Sequence, residues 1–251
     1  MNAPALKLRN PPIVEAVVDV DCDTPPGFDL DAVEEQAGER FRDRYPKSRK
    51  RFVHELEVTT RAEALSKLSA SQAVQAFQFL DDDERQLVQV RMQGFSFNRL
   101  APYTSLDDYL PEIERTWRLY VKLVTPVETR EVRLRYINRI LLPTEAGKVE
   151  LEEYLKIGPR LPDEKTLELT GFLVQQAAVE PETGHRVNLT LTAQSPENGK
   201  LPVILDIAAA SALRAPPDDW QGIRQTVDRL RGLKNRTFRT TLTQKCLQLF
   251  R

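Results

Sequence analysis

Cysteine is almost missing from this chain of 251 residues: Cys22 and Cys246 are the only two, and they lie far apart. Such a pair supports neither a disulfide framework nor a cysteine-rich zinc site. Histidine is equally scarce, with His54 and His185 alone, which leaves little for histidine-based catalysis. No long apolar run is present, so no membrane span is expected, and the start, MNAPALKLRNPP, lacks the apolar region of a secretion signal. The formal net charge of −1 argues against a dedicated nucleic-acid binder, although it leaves room for a local basic patch. Nothing matches a phosphate-binding P-loop, a nucleophile elbow or a dinucleotide fingerprint. These absences point to a soluble cytoplasmic protein without membrane contact, and they remove the commonest enzyme classes.

What is present is patterned. In IVEAVVDVD, Val14, Ala16, Val18 and Val20 alternate with Glu15, Val17, Asp19 and Asp21, the period of a half-buried strand. FDLDAVEEQAGERFRDRYP places Leu30, Val33, Ala37 and Phe41 at helical spacing, and Pro46 ends the helix. RFVHELEVT, AVQAFQFL and RQLVQVRM read as three strands, the last two joined by the acidic turn DDDE. A second helix carries Leu106, Leu110, Ile113, Trp117, Tyr120 and Val124 on one side, with a kink or a start expected at Pro111. Then EVRLRYINRILL gives a strand, LEEYLKI a short helical segment, and GFLVQQAAVE, RVNLTLTAQ and LPVILDIAAA three more strands. DDWQGIRQTVDRLRGLKN is amphipathic, capped by Asp218 or Asp219 and left at Asn235, with Trp220, Ile223, Val227, Leu230 and Leu233 inward.

The order strand–helix–three strands–helix therefore occurs twice. The expectation is a single α+β domain over 1–251, with pseudo-repeat halves 10–126 and 127–236 and a C-terminal helix over 237–251. About eight strands would form one largely antiparallel sheet or a wide barrel, with the helices packed outside.

Four stretches, LRNPPIVEAVVDV, FSFNRLAPYTSLDDY, RYINRILLP and LKNRTFRTTLTQK, together resemble a sporadically distributed family of uncharacterised bacterial proteins. The resemblance spans nearly the whole chain. It implies a bacterial, cytoplasmic protein and carries over no activity and no functional residue. At fold level the repeated order is similar to that of the triphosphate tunnel enzymes, whose barrel is lined by acids and bases. Those enzymes carry an acidic-x-acidic-x-basic run, and here Glu55 and Glu57 supply the acids while Thr59 stands where the lysine belongs.

The candidate sites follow from charge on strand faces. Arg133, Arg135 and Arg139 share one face of EVRLRYINRI, and planar guanidinium forks in a row suit a polyphosphate or a nucleotide. The competing reading is internal: laid antiparallel beside the first strand, they would face Asp21, Asp19 and Glu15. Glu55 and Glu57 are the candidate metal ligands, for Mg²⁺ or Mn²⁺ only if acids and arginines converge around a phosphate. No other cofactor is indicated. His54 is expected to be packed on the apolar side of its strand and His185 to sit at a turn. Polar strand faces carrying Gln75, Gln89, Arg91, Gln93, Gln175, Asn188, Thr190 and Thr192 suit contact with a partner as well as with solvent. The basic runs KSRKR (47–51) and Arg229, Arg231, Lys234, Arg236, Arg239 and Lys245 are expected to be solvated faces rather than a nucleic-acid site. The favoured function is a non-enzymatic interaction module that engages a protein partner through a sheet face or its C-terminal helix. The alternative is a tunnel-type phosphohydrolase or sensor that binds a triphosphate through the arginine row with a divalent metal.

Overall fold

The computed structural model describes residues 8–61, 64–145, 147–161, 166–167 and 169–251, with the side chains of 54–72 outside that description. Among the described residues nine strands form one antiparallel sheet: β1 Ile13–Asp23, β2 Lys47–Arg61, β3 Ala64–Leu80, β4 Gln86–Arg91, β5 Gly94–Leu100, β6 Glu128–Pro143, β7 Leu173–Val179, β8 Arg186–Ala193 and β9 Lys200–Ala215. Their order across the sheet is β2-β3-β4-β5-β1-β6-β9-β8-β7. The helices are α1 Glu34–Phe41, α2 Leu106–Val124, α3 Leu151–Tyr154, α4 Trp220–Thr241 and α5 Gln244–Gln248. The architecture is α+β, as expected, and among the described residues β2 and β7 end the sheet without a pairing that joins them.

β1 and β6 lie side by side at the centre, and each is flanked by the last strand of its own half, β5 or β9. The alternation read from sequence holds here: Val18, Val20, Val132, Leu134 and Tyr136 are buried on one face, where α2 and α4 cover them. Trp117, Tyr120 and Trp220 belong to that core, and the Trp117 indole donates a 2.9 Å hydrogen bond to the Pro217 carbonyl. A second cluster around Ile140, Leu205, Phe238 and Leu247 closes the sheet under α5.

Three expectations are corrected. GFSFNRL, to which no element is assigned from sequence, is β5, with Phe95 and Phe97 buried beneath α2. Pro111 neither starts nor ends α2, which begins after Ser105, whose side chain accepts from the Asp107 N–H. The last long helix does not stop at Asn235: α4 runs on to Thr241 from its cap Asp219, because Lys234, Phe238 and Thr241 continue its buried side. The 237–251 segment thus divides between the end of α4 and the short α5.

Candidate functional site

The face away from the helices is polar, and its side chains answer one another across the strands. Arg49 donates to Gln78 (2.8 Å), Gln78 to Gln89 (2.9 Å), Gln89 to Asn98 (2.9 Å), and Asn98 to Glu15 (2.6 Å). The arginine row belongs to this face. Arg133 lies 3.6 Å from both Asp19 and Asp21 and 2.8 Å from Glu131, which also binds Arg186. Arg135 grips Asp206 of β9 with three contacts of 2.5–3.0 Å, and Arg139 reaches Gln194 and Glu197. The first strand is therefore the anion for Arg133 alone. The register sets Asp19 opposite Arg133 and Val17 opposite Arg135, two residues from the expected pairing, so Arg135 turns to β9 and Arg139 to the turn before it. Asp21 takes Arg91 at 2.6 Å and Asp19 takes Ser96 at 2.5 Å.

The side chains of His54, Glu55 and Glu57 lie outside the described residues. Among those described, no group of three or more His, Cys, Asp and Glu is arranged to hold a metal. His185 is buried at the β7–β8 turn, 3.5 Å from Glu180. Several members of the basic runs are joined to acids: Lys47 to Glu84, Lys50 to Glu34, Arg231 to Asp107, Arg236 to Glu180 and Lys245 to Glu153. Lys234 is the exception that matters.

Lys234 occupies the buried side of α4, four residues after Leu230 and four before Phe238, and only 9% of it is exposed. Its ammonium rests over the Tyr136 ring, 3.7 Å from the centroid, and no carboxylate among the described residues reaches it. A desolvated cation–π contact is worth about 2 kcal/mol, less than the several kcal/mol that dehydrating an ammonium costs. The charge is therefore only partly compensated. Burial, helped by the neighbouring Arg231 guanidinium, holds the amine down at about 7.

This amine opens into a cleft of about 540 Å³. Its walls come from four segments. Leu8, Pro11, Pro12 and Ile13 lead into β1; residues 103–107 precede and start α2; Tyr136 and Asn138 stand on β6; and Arg231, Lys234, Asn235 and Phe238 come from α4. The Tyr103 and Tyr136 hydroxyls share a 2.8 Å hydrogen bond, and burial pushes the Tyr136 phenol up to about 12. Asp107 is held by Arg231 through two contacts of 2.8 and 2.6 Å, which keeps its carboxyl below the usual range. Asn138, buried in the floor, donates to the Leu205 carbonyl at 2.9 Å. The cleft thus has a mixed apolar lip and a polar floor, and at its back an amine whose only partner among the described residues is an aromatic face. The volume falls within the ordinary range for small-molecule sites.

Arg133, Arg135 and Arg139 do not line this cleft, whereas Arg231 and Lys234, expected from sequence to be solvated, do. Lys234 was legible only as a lysine on the inward stripe of a helix extended past Asn235. With Arg231 alone excepted, however, every lining residue falls within the four stretches quoted above for their resemblance. Compared with family models, curated proteins and solved structures, the chain gives no match.

Proposed function

We propose that the protein is a binding module for a small anionic molecule, held in the cleft with its acidic group on Lys234. The observation that carries this reading is the buried ammonium that faces an open cleft without a carboxylate of its own. Arg231 sits close by but is committed to Asp107, so the ligand's charge is left to Lys234. Leu8, Pro12, Ile13 and Phe238 favour a ligand with an apolar body behind its acid. The convergence on this one place of the four stretches quoted for their resemblance supports it independently.

The test is a thermal-shift series with inorganic phosphate, phenyl phosphate, acetate and benzoate at matched ionic strength, on wild type, Lys234→Met and Arg135→Ala. A ligand at about 100 times its dissociation constant adds roughly 2.7 kcal/mol. In a chain of this length that raises Tm by about 5–10 °C. The expected result is a shift in wild type and Arg135→Ala that Lys234→Met abolishes. A shift lost in Arg135→Ala and kept in Lys234→Met would return the site to the arginine row and to the polyphosphate reading.

A second reading rests on the same amine. An amine held near neutrality is partly free base at pH 7, the form that adds to an aldehyde or ketone and loses water to give an imine. Borohydride trapping of an oxo acid on Lys234, read by intact mass, separates this from simple ion pairing.

We also read halves 10–126 and 127–236 as two versions of one unit. Its support is the central β1–β6 pair and the return of β5 and β9 to flank those strands.

A further inference from the structure

The two ends of the sheet are built differently. β2 opens with the basic run KSRKR, and long charged side chains on an edge discourage strand addition. β7, LVQQAAV, has no charge, no proline and no bulge. Leu173 and Val179 at its ends are 63% and 59% exposed.

Backbone parity tells which groups face outward. The Ala193 N–H donates to the Phe172 carbonyl and the Glu180 N–H to the His185 carbonyl, so the even-numbered residues turn their peptide groups toward β8. Leu173, Gln175, Ala177 and Val179 turn theirs away from the sheet, and no strand pairs with that edge among the described residues. An edge of unpaired N–H and C=O groups is a template for another strand.

We propose that β7 pairs antiparallel with β7 of a second copy about a twofold axis through Gln176, joining two sheets edge to edge. In this register Leu173 meets Val179 of the copy and Gln175 meets Ala177, so outward-facing residues meet only outward-facing residues. All four then exchange both of their peptide hydrogen bonds. A slip by two residues in either direction leaves an end residue unpaired. The strand is its own complement: an apolar side chain covers an apolar one at each end, and no like charges stand opposite. These four side chains share the face of Asp206, through the pairing of Gln175 with Thr190 and of Thr190 with Asp206. The polar face therefore continues unbroken across the axis.

One strand per protomer is a small interface, which places dissociation in the micromolar-to-millimolar range. Sedimentation of the full chain from about 1 µM to about 1 mM should follow a monomer–dimer equilibrium. Ala177→Pro removes an outward N–H without touching the β8 ladder, a position where an edge strand tolerates proline. It should weaken dimerisation at least tenfold and leave the Tm of the dilute protein unchanged. Gln176→Cys tests the register, because the two Gln176 Cα atoms would lie about 4.5 Å apart, within disulfide reach. Mild oxidation should cross-link Gln176→Cys but not Val174→Cys, whose partner is Ala178, and the native Cys22 and Cys246 are buried. A wild type that stays monomeric at the highest concentration overturns the proposal, as does dimerisation that Ala177→Pro leaves intact. Equal cross-linking of both cysteine variants overturns the register.

Discussion

The Lys234 ammonium rests 3.7 Å from the centre of the Tyr136 ring, α4 against β6, and among the described residues the face of that ring is the only countercharge it meets. A buried cation compensated so weakly weighs on folding, and replacing it with an apolar side chain of similar length should relieve that. Lys234→Met is expected to stabilise the unliganded protein at pH 7 by about 1–4 kcal/mol, read from urea midpoints. A loss of stability of similar size would mean that the ammonium is better paired than the geometry indicates.

The same amine sets a pH dependence of stability. Its value is depressed from 10.5 to about 7 on folding, so between these limits the unfolded chain holds one more proton. Stability from this group therefore rises with pH through that window and is flat below 7. Cys22 and Cys246, raised by burial from 9.0 to about 12, act in the opposite direction above pH 9. The quantity to follow is the difference between wild type and Lys234→Met, which should narrow steadily from pH 7 to 9. A difference that does not change with pH would rule out a titrating Lys234.

Ligand binding has the opposite sign. An anion prefers the protonated amine, so its affinity should hold below pH 7 and fall up to tenfold per pH unit above it, with proton uptake on binding. Calorimetry in two buffers of different ionisation enthalpy counts that proton. Binding without proton exchange at pH 8 would place the ligand's charge elsewhere.

Gly94 begins β5 at φ +149, opposite Asp21, and a Cβ there would lie 2.2 Å from the Val20 carbonyl oxygen. Backbone cannot swing away as the tip of a side chain can. Gly94→Ala should cost roughly 2–4 kcal/mol, seen as a lower urea midpoint at unchanged slope.

Arg135 and Asp206 meet fork to fork on a half-exposed face. A double-mutant cycle should give a coupling of about 0.2–1 kcal/mol, since solvent and salt screen such a pair. A much larger coupling would mean that this part of the sheet is drier in solution than its half-exposed geometry implies.

The sequence carried the central frame well. Alternation in β1 and β6 holds apart from Val17, which is buried on the polar side, so the main buried faces were legible and the arginine row was placed on the correct side. Register was not legible, because acids stand at both spacings on β1 and either alignment offers Arg133 a partner. β5 was missed for a local reason: Gly94, Asn98 and Arg99 look like loop residues, yet Asn98 serves the polar ladder and the Arg99 guanidinium lies over the Tyr109 ring. The cleft was missed because a lysine in a helix is ordinarily read as solvated, and ending α4 at Asn235 hid the stripe to which Lys234 belongs. Its four walls lie as much as 230 residues apart, from Leu8 to Phe238, a separation that no local spacing rule spans.

That separation ties recognition to the history of the chain. The cleft is complete in neither half alone: residues up to 126 bring Ile13 and the Tyr103 segment but not Lys234, and residues from 127 onward bring Lys234, Tyr136 and Phe238 but not the walls from within residues 8–13 and 103–107. Contacts of such long range form late and slowly. If the proposed ligand binds there, occupancy of the cleft is a certificate of completed assembly, since neither half alone brings all of its walls.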